Sequence, residues 1–539
     1  MNTRTWLSRA GTRLAVGSLV GAVLALGMVP AAAKSQAAHG SAMVVNISTA
    51  PATLDPAEGC GTYDFVIYNS VYTRLTQYGS LSGPHGTTRI DYSKVEPDLA
   101  KSWTIAGNGT VYTFQLRSGV KFSDGTPVTS ADVAYSFQRA ITMNGCGAYF
   151  VLDGFYTPSL IKSISTPNPL TAVITLNFPD PEVLADWAQP AASILESAPI
   201  AAHGGVVSNT VNSWAAGHIS GGGGPFRLTS YQSGVRAVFT AVPHYWQPAA
   251  THEIILNFIS NAATLGLDAR DGEADLTFGL PNATVHSLSK VSGLRVITDP
   301  TPESEQLGFN NGVAPTNNVD VRTALTYAVP YSEILKKVVF GYGSLFYGEF
   351  MPDMVGFNAA IQKARPYDLA KARSLLAQSG VSLPIHIPIV IDSGDAAAAE
   401  IASIVQSIWS KIKVDVTIQT LSPTDYINTI EGHTDVAFIR LDGPGVPEAA
   451  YYLQYDAKCG ISFNLTQMCV PQIDTLIAAA LQVPLSQQGT YWNKIDRLWI
   501  ADSPKIQLYN FYSTAVLSSR VTKYEYSDEF STLQTWAIK

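Results

Sequence analysis

The sequence predicts an α/β protein divided into more than one domain, on three observations. The chain is 539 residues long, beyond what a single hydrophobic core supports, so it should split into two or three domains. Strand 385–391, helix 396–411 and strand 414–418 form a β-α-β unit of the kind that builds α/β layers. Residues 96–141 read as a hairpin, a loop and a capped helix.

That last stretch is the most informative. Tyr112, Phe114 and Leu116 alternate with Thr113, Gln115 and Arg117, the period of a strand with one buried face. Residues 120–122 start a second short strand, and Asp124-Gly125 supplies a tight turn because glycine tolerates positive φ. Thr129-Ser130-Ala131-Asp132 forms a capping box ahead of the helical apolar pattern Val133, Phe137, Ala140 and Ile141.

The same residues resemble the signature of the extracytoplasmic peptide-binding proteins (solute-binding family 5) that feed ABC importers. Its Pro-x-Leu-Ala-x-Ser-Trp stands at 97–103, Tyr-Thr-Phe-x-Leu-Arg at 112–117, Val-Lys-Phe-x-Asp-Gly-x-Pro at 120–127 and Ala-Asp-Val at 131–133. The resemblance implies a two-lobed periplasmic-binding-protein (Venus flytrap) fold of the large peptide-binding type, α/β throughout, with an extra subdomain in lobe 1. Carried onto this chain it assigns residues 42–75, 220–305 and 515–539 to the lobe 1 core, 76–219 to the extra subdomain and 306–514 to lobe 2. It implies a monomeric receptor that closes over a small solute, by default a peptide, and presents it to an ABC permease in the membrane. An oligosaccharide or other polar solute, or a sensor without a transport partner, stays open on the same scaffold. A secreted hydrolase is the reading from another class. Neither Gly-x-Ser-x-Gly nor His-Glu-x-x-His occurs, so no enzyme is expected.

Composition agrees. Charged residues make up 14% and aromatics 10%, with 25 Tyr. Tyr serves a core equally well, or a solute cleft, where it offers an apolar face and a hydrogen-bonding tip. A net charge of −8 argues against nucleic acid, which needs a basic patch. At the N-terminus Arg4, Arg9 and Arg13 precede an apolar run over 14–29 and Ala31-Ala32-Ala33. This reads as a signal peptide over 1–33. A membrane helix is the competing reading, but the run is short and Gly-rich for a span and a small-residue cleavage site follows at once. Relatives of this family are often lipid-anchored through a cysteine at that point. Here the first is Cys60, so the mature protein is expected soluble in the periplasm or cell envelope.

Four cysteines in an exported chain point to two disulfides. The resemblance implies a bridge between Cys459 and Cys469, leaving Cys60 and Cys146 as the second pair. A zinc or thiol site is the alternative. With no Cys-x-x-Cys and nine scattered His, no metal and no cofactor are expected.

Along the mature chain, residues 43–49 form a strand, and helix 64–75 follows the breaker Leu54-Asp55-Pro56. Relatives end this helix with Tyr-Glu-x-Leu close to the cleft. Here it is Tyr72-Thr73-Arg74-Leu75, without the acid that would meet a cation; by their place near the cleft Tyr72 and Thr73 are candidates for ligand contact or for plain core packing. Strand 171–178 leads to a helical segment around 181–195. Gly221-Gly222-Gly223-Gly224-Pro225-Phe226 lacks the Lys-Ser/Thr of a phosphate loop and resembles the family's turn back into the sheet. Residues 306–311 resemble the strand that crosses to the second lobe. They place Asn310 and Asn311 near the hinge, as solute contacts or as an amide pair satisfying a turn. Asp320-Val321-Arg322 begins a scaffold helix, and strand 506–512 returns towards lobe 1.

The loop after strand 436–440 carries the most functional information: Arg440-Leu441-Asp442-Gly443-Pro444-Gly445-Val446-Pro447-Glu448. In peptide-binding relatives this strand leads to Gly-Trp-x-x-Asp, whose Asp takes the peptide α-ammonium and whose Trp walls the pocket. Asp442 stands within one residue of the matching Asp, followed by Gly443. The Trp is absent, with Arg440 near its place. Either Asp442 meets a ligand ammonium and Arg440 a ligand carboxylate, or the two pair with each other, or Asp442 only caps the Gly-Pro loop.

Overall fold

The computed structural model describes residues 40–83, 87–152, 160–352, 354–461, 463–526 and 533–539. The expected signal peptide, 1–33, lies outside them. Its organising feature is an eleven-stranded mixed sheet. The order is Val414–Leu421, Ile385–Asp392, Ala437–Asp442, Leu294–Phe309, Lys505–Ser518, Leu276–Phe278, Met43–Ile47, Glu253–Phe258, Arg236–Ala241 and Phe226–Gln232, with Gly343–Ser344 added on Lys505–Ser518.

Two long antiparallel strands tie the halves together. Leu294–Phe309 and Lys505–Ser518 pair from Leu294↔Ser518 to Pro300↔Tyr512 and again from Ser304↔Asn510 to Gly308↔Lys505, with the register broken between Pro300 and Ser304. At the break the backbone loses its ladder partners, and side chains replace them. Asn510 donates to the carbonyls of Thr301 (2.7 Å) and Glu303 (2.8 Å), and Thr301 donates to that of Phe511.

Separate cores lie on either side of this crossing. One gathers Met43, Val45, Ile47, Phe65, Phe239, Ile254 and Leu276. The other gathers Leu307, Phe309, Val321, Leu325, Ile387, Ile389, Val405 and Trp409, where the expected β-α-β unit is present as Ile385–Asp392, Ala396–Trp409 and Val414–Leu421. Residues of the signature stretch build a third core around a four-stranded antiparallel sheet, ordered Ala100–Ala106, Val111–Leu116, Thr171–Leu176 and Ile161–Asn168. As the alternation predicts, Tyr112, Phe114 and Leu116 are its buried face. A fourth core packs Ala449–Asp456, Pro471–Ala480 and Leu485–Asp502 around Trp492 and Trp499.

Several expected elements are shorter or different. Residues 120–122 form no strand; a single bridge pairs Lys121 with Pro127 across the Asp124-Gly125 turn, held by the Phe122 amide on the Thr126 carbonyl (2.8 Å) and the Val128 amide on the Val120 carbonyl (3.0 Å). The helix expected to Leu75 spans Thr62–Val71, and Tyr72 ends it in an extended conformation. There Gly224 donates to the Val71 carbonyl, and a Cβ on Gly224 would lie 2.6 Å from Val71 backbone carbon. That close approach is why the glycine-rich turn sits here. The helical stretch around 181–195 reduces to Val183–Asp186 and a 3-10 turn Pro190–Ala192, because Pro190 cannot continue a helix. Both disulfides are formed, Cys60–Cys146 and Cys459–Cys469, with Cα separations of 5.9 and 4.6 Å.

Candidate functional site

Strand Ala437–Asp442 brings the information-rich loop to the crossing strands. It pairs antiparallel with Leu294–Phe309, setting Asp442 opposite Ser304 and Arg440 opposite Gln306. Strand alternation puts Arg440 and Asp442 on one face. There they meet: Arg440 Nη2 lies 3.0 Å from Asp442 Oδ1, and the Tyr455 hydroxyl donates to the same oxygen at 3.0 Å. Burial opposes the guanidinium charge, but Asp442, then Tyr455 and Tyr426, more than offset it and hold the Arg440 proton more tightly than usual. Asp442 is 8% exposed while Arg440 keeps 29% of its side chain open. The two side chains whose partners the sequence left open therefore face each other here.

The loop beyond them joins the two halves of the molecule. A Cβ on Gly443 would come within 2.4 Å of the Pro302 carbonyl oxygen, in the register break of the crossing strands. Gly445 lies against the Phe150 ring, and Val446 and Tyr451 belong to the core that holds Phe65 and Phe150. Tyr149 and Tyr451 meet edge-on with centroids 5.5 Å apart. Glu448 begins helix Ala449–Asp456, and the first-turn amides of Ala450 and Tyr451 donate to the Glu182 carboxylate at 3.3 and 3.1 Å. A carboxylate at a helix N-terminus satisfies orphan donors and the positive end of the dipole together. Nothing in the local sequence marks Glu182 for this role, since its partners lie 268 and 269 residues away.

The remaining expected residues sit as follows. Tyr72 is buried, its hydroxyl accepting from the Ser220 amide at 3.1 Å, and Thr73 is buried with its hydroxyl on Asp98 at 3.2 Å; Tyr72 packs in the core that holds Met43 and Phe65. Asn310 is fully buried. Its amide donates to the carbonyls of His433 and Asp435 and its oxygen accepts from Gly312 and Gln467. Asn311 donates to Asp502 at 3.4 Å. The pair thus closes a turn beside strand Ala437–Asp442, and Arg322 reaches Asp502 and the Thr316 carbonyl as a scaffold residue.

Unforeseen in the sequence is a buried ionic group beneath Asp442. Lys505 lies 2.6 Å from Asp456 and 3.4 Å from Glu349, and donates to the Tyr452 hydroxyl at 3.2 Å. Its only sequence signal is a lysine opening an apolar strand. Among the described residues no three His, Cys, Asp or Glu are grouped to hold a metal ion, and no helix is long and apolar enough to cross a membrane.

Two cored halves, linked by paired crossing strands and touching again through one loop, define the class: a two-lobed solute-binding protein. The chain belongs to the bacterial extracellular solute-binding proteins, family 5, whose description matches residues 94–464. It is 27% identical over 477 residues to the probable D,D-dipeptide-binding periplasmic protein DdpA of Escherichia coli K12, covering 87% of this chain and 88% of that one. It is 31% identical over 383 residues to heme-binding protein A of Haemophilus influenzae, covering 66% and 65%. Among solved structures, the periplasmic binding protein DppA of Helicobacter pylori in complex with the peptide STSA shares the fold at a TM-score of 0.73 and 23% identity, over 92% of this chain and 98% of that chain.

Proposed function

We propose that the protein captures peptides between its lobes outside the cytoplasm and delivers them, as a monomer, to an ABC permease, performing no reaction on them. The observation that carries this reading is the Arg440–Asp442 pair at the mouth of the loop joining the lobes. Both contacts to Asp442 fall on Oδ1. In this reading the Asp442 carboxylate takes a peptide α-ammonium and the Arg440 guanidinium a carboxylate or carbonyl. Peptide relatives such as DdpA support the ligand class. Contacts from both lobes favour the closed state, so capture and closure are one linked equilibrium.

Mass spectrometry of the purified protein should find a peptide. In calorimetry, Asp442→Ala should weaken amino-terminated peptides by roughly 2–5 kcal/mol and leave N-acetylated ones unaffected. A non-peptide solute in the cleft, with no heat from any short peptide, refutes the reading. Loss of peptide uptake on gene deletion tests the permease.

A further inference from the structure

Glu182 does more than hold a helix end, because it sits in acidic company. Asp180 and Glu182 are 2% exposed, Asp186 0% and, from the other lobe, Glu448 4%. Asp180 accepts from the Glu182 amide at 2.9 Å. The charged groups acting on Glu182, Asp186 and Glu448 are one another and Asp180. Neither oxygen of Asp186 has a hydrogen-bond partner, nor does the side-chain oxygen of Gln189 one helical turn on, whose amide donates to the Tyr78 hydroxyl at 3.0 Å. The junction is rich in acceptors and poor in donors.

Buried carboxylates without a counter-charge keep their protons. Burial first, and Asp180 second, push Glu182 up to about 8, and burial first and then the neighbouring acids hold Asp186 and Glu448 well above the usual carboxylate range. A cation would complete the set. A single metal ion does not suit it, since no three of these side chains converge on one point; an organic cation, with N–H donors spread over several ångströms, does. Glu448 lies at the far end of the loop that starts at Asp442. We propose that the junction of Glu182, Asp186 and Glu448 receives an ammonium or guanidinium group of the captured solute, making the protein selective for basic peptides. Because the carboxylates come from both lobes, the cation bridges them and favours closure.

This inference rests on the peptide-receptor reading, and titration of the intact mature protein with Ala-Lys-Ala and its norleucine isostere separates the two. Ala-Lys-Ala should bind about tenfold tighter or more, with proton release seen in buffers of different ionisation enthalpy. Asp186→Asn and Glu448→Gln should abolish both the preference and the proton release while circular dichroism and the unfolding midpoint are kept. Equal affinity for the two tripeptides, or a preference that survives Asp186→Asn, overturns the inference and leaves the receptor reading standing. No binding of either, with no peptide co-purifying, overturns both.

Discussion

Gly443 has no room for a side chain, because the crossing strands' backbone lies 2.4 Å from where its Cβ would be. Gly443→Ala must displace the register break or the loop, and should cost about 1–3 kcal/mol in urea unfolding while weakening solute binding. Glu305 makes a different statement. It is 3% exposed, receives the Tyr509 hydroxyl at 3.4 Å, and is pushed from 4.5 to about 8 by burial and then by Asp395. Its folded form holds a proton that the unfolded chain has released. The stability it contributes is present below about 4.5 and is lost as pH rises through about 8. Glu305→Gln, neutral at every pH, should flatten that decline in unfolding free energy, and an unchanged slope would exclude Glu305 as its source.

Among the elements, the most consequential joint is the one between the first strand's exit and the signature helix Ser130–Met143. Arg139 on that helix meets Asp55 through both guanidinium nitrogens, at 2.7 and 2.5 Å, with both side chains fully buried. The Cys60–Cys146 bridge closes the same joint from the helix's far end. Asp132 accepts from the Thr129 amide and hydroxyl at 2.8 Å, as the capping pattern foretold. Arg139→Ala strands Asp55 as an unpaired buried charge and should cost roughly 3–5 kcal/mol, measured by chemical denaturation. Replacing both residues by apolar ones should cost far less, since the penalty lies in the unpaired charge.

At the scale of the whole molecule, the crossing strands, the loop from Gly443 to Glu448 and the Glu182–helix contact join the two halves. A solute bound between them should contract the particle, so small-angle scattering should show a smaller radius of gyration with the co-purifying peptide than after its removal. At about 100 times Kd the peptide should also raise the unfolding free energy by ~2.7 kcal/mol. Scattering curves that coincide with and without solute would exclude closure.

Short-range physics is written in the chain and was legible there. The alternation over Tyr112–Leu116, the capping pattern at Thr129–Asp132, the strand-helix-strand over 385–418 and the loop carrying Arg440 and Asp442 need only neighbours in sequence, and the family pattern that fixes the scaffold is made of such local pieces. Where the helical reading over 181–195 failed, Pro190 interrupts the helix, which periodicity does not count. Only the tertiary structure decided that Arg440 and Asp442 face each other, that Asn310 closes a turn, that Lys505 has two carboxylates, and that Glu182 caps a helix 268 residues further along the chain. Those outcomes depend on which distant groups burial brings together and whether each charge finds a partner, and sequence spacing carries no record of either.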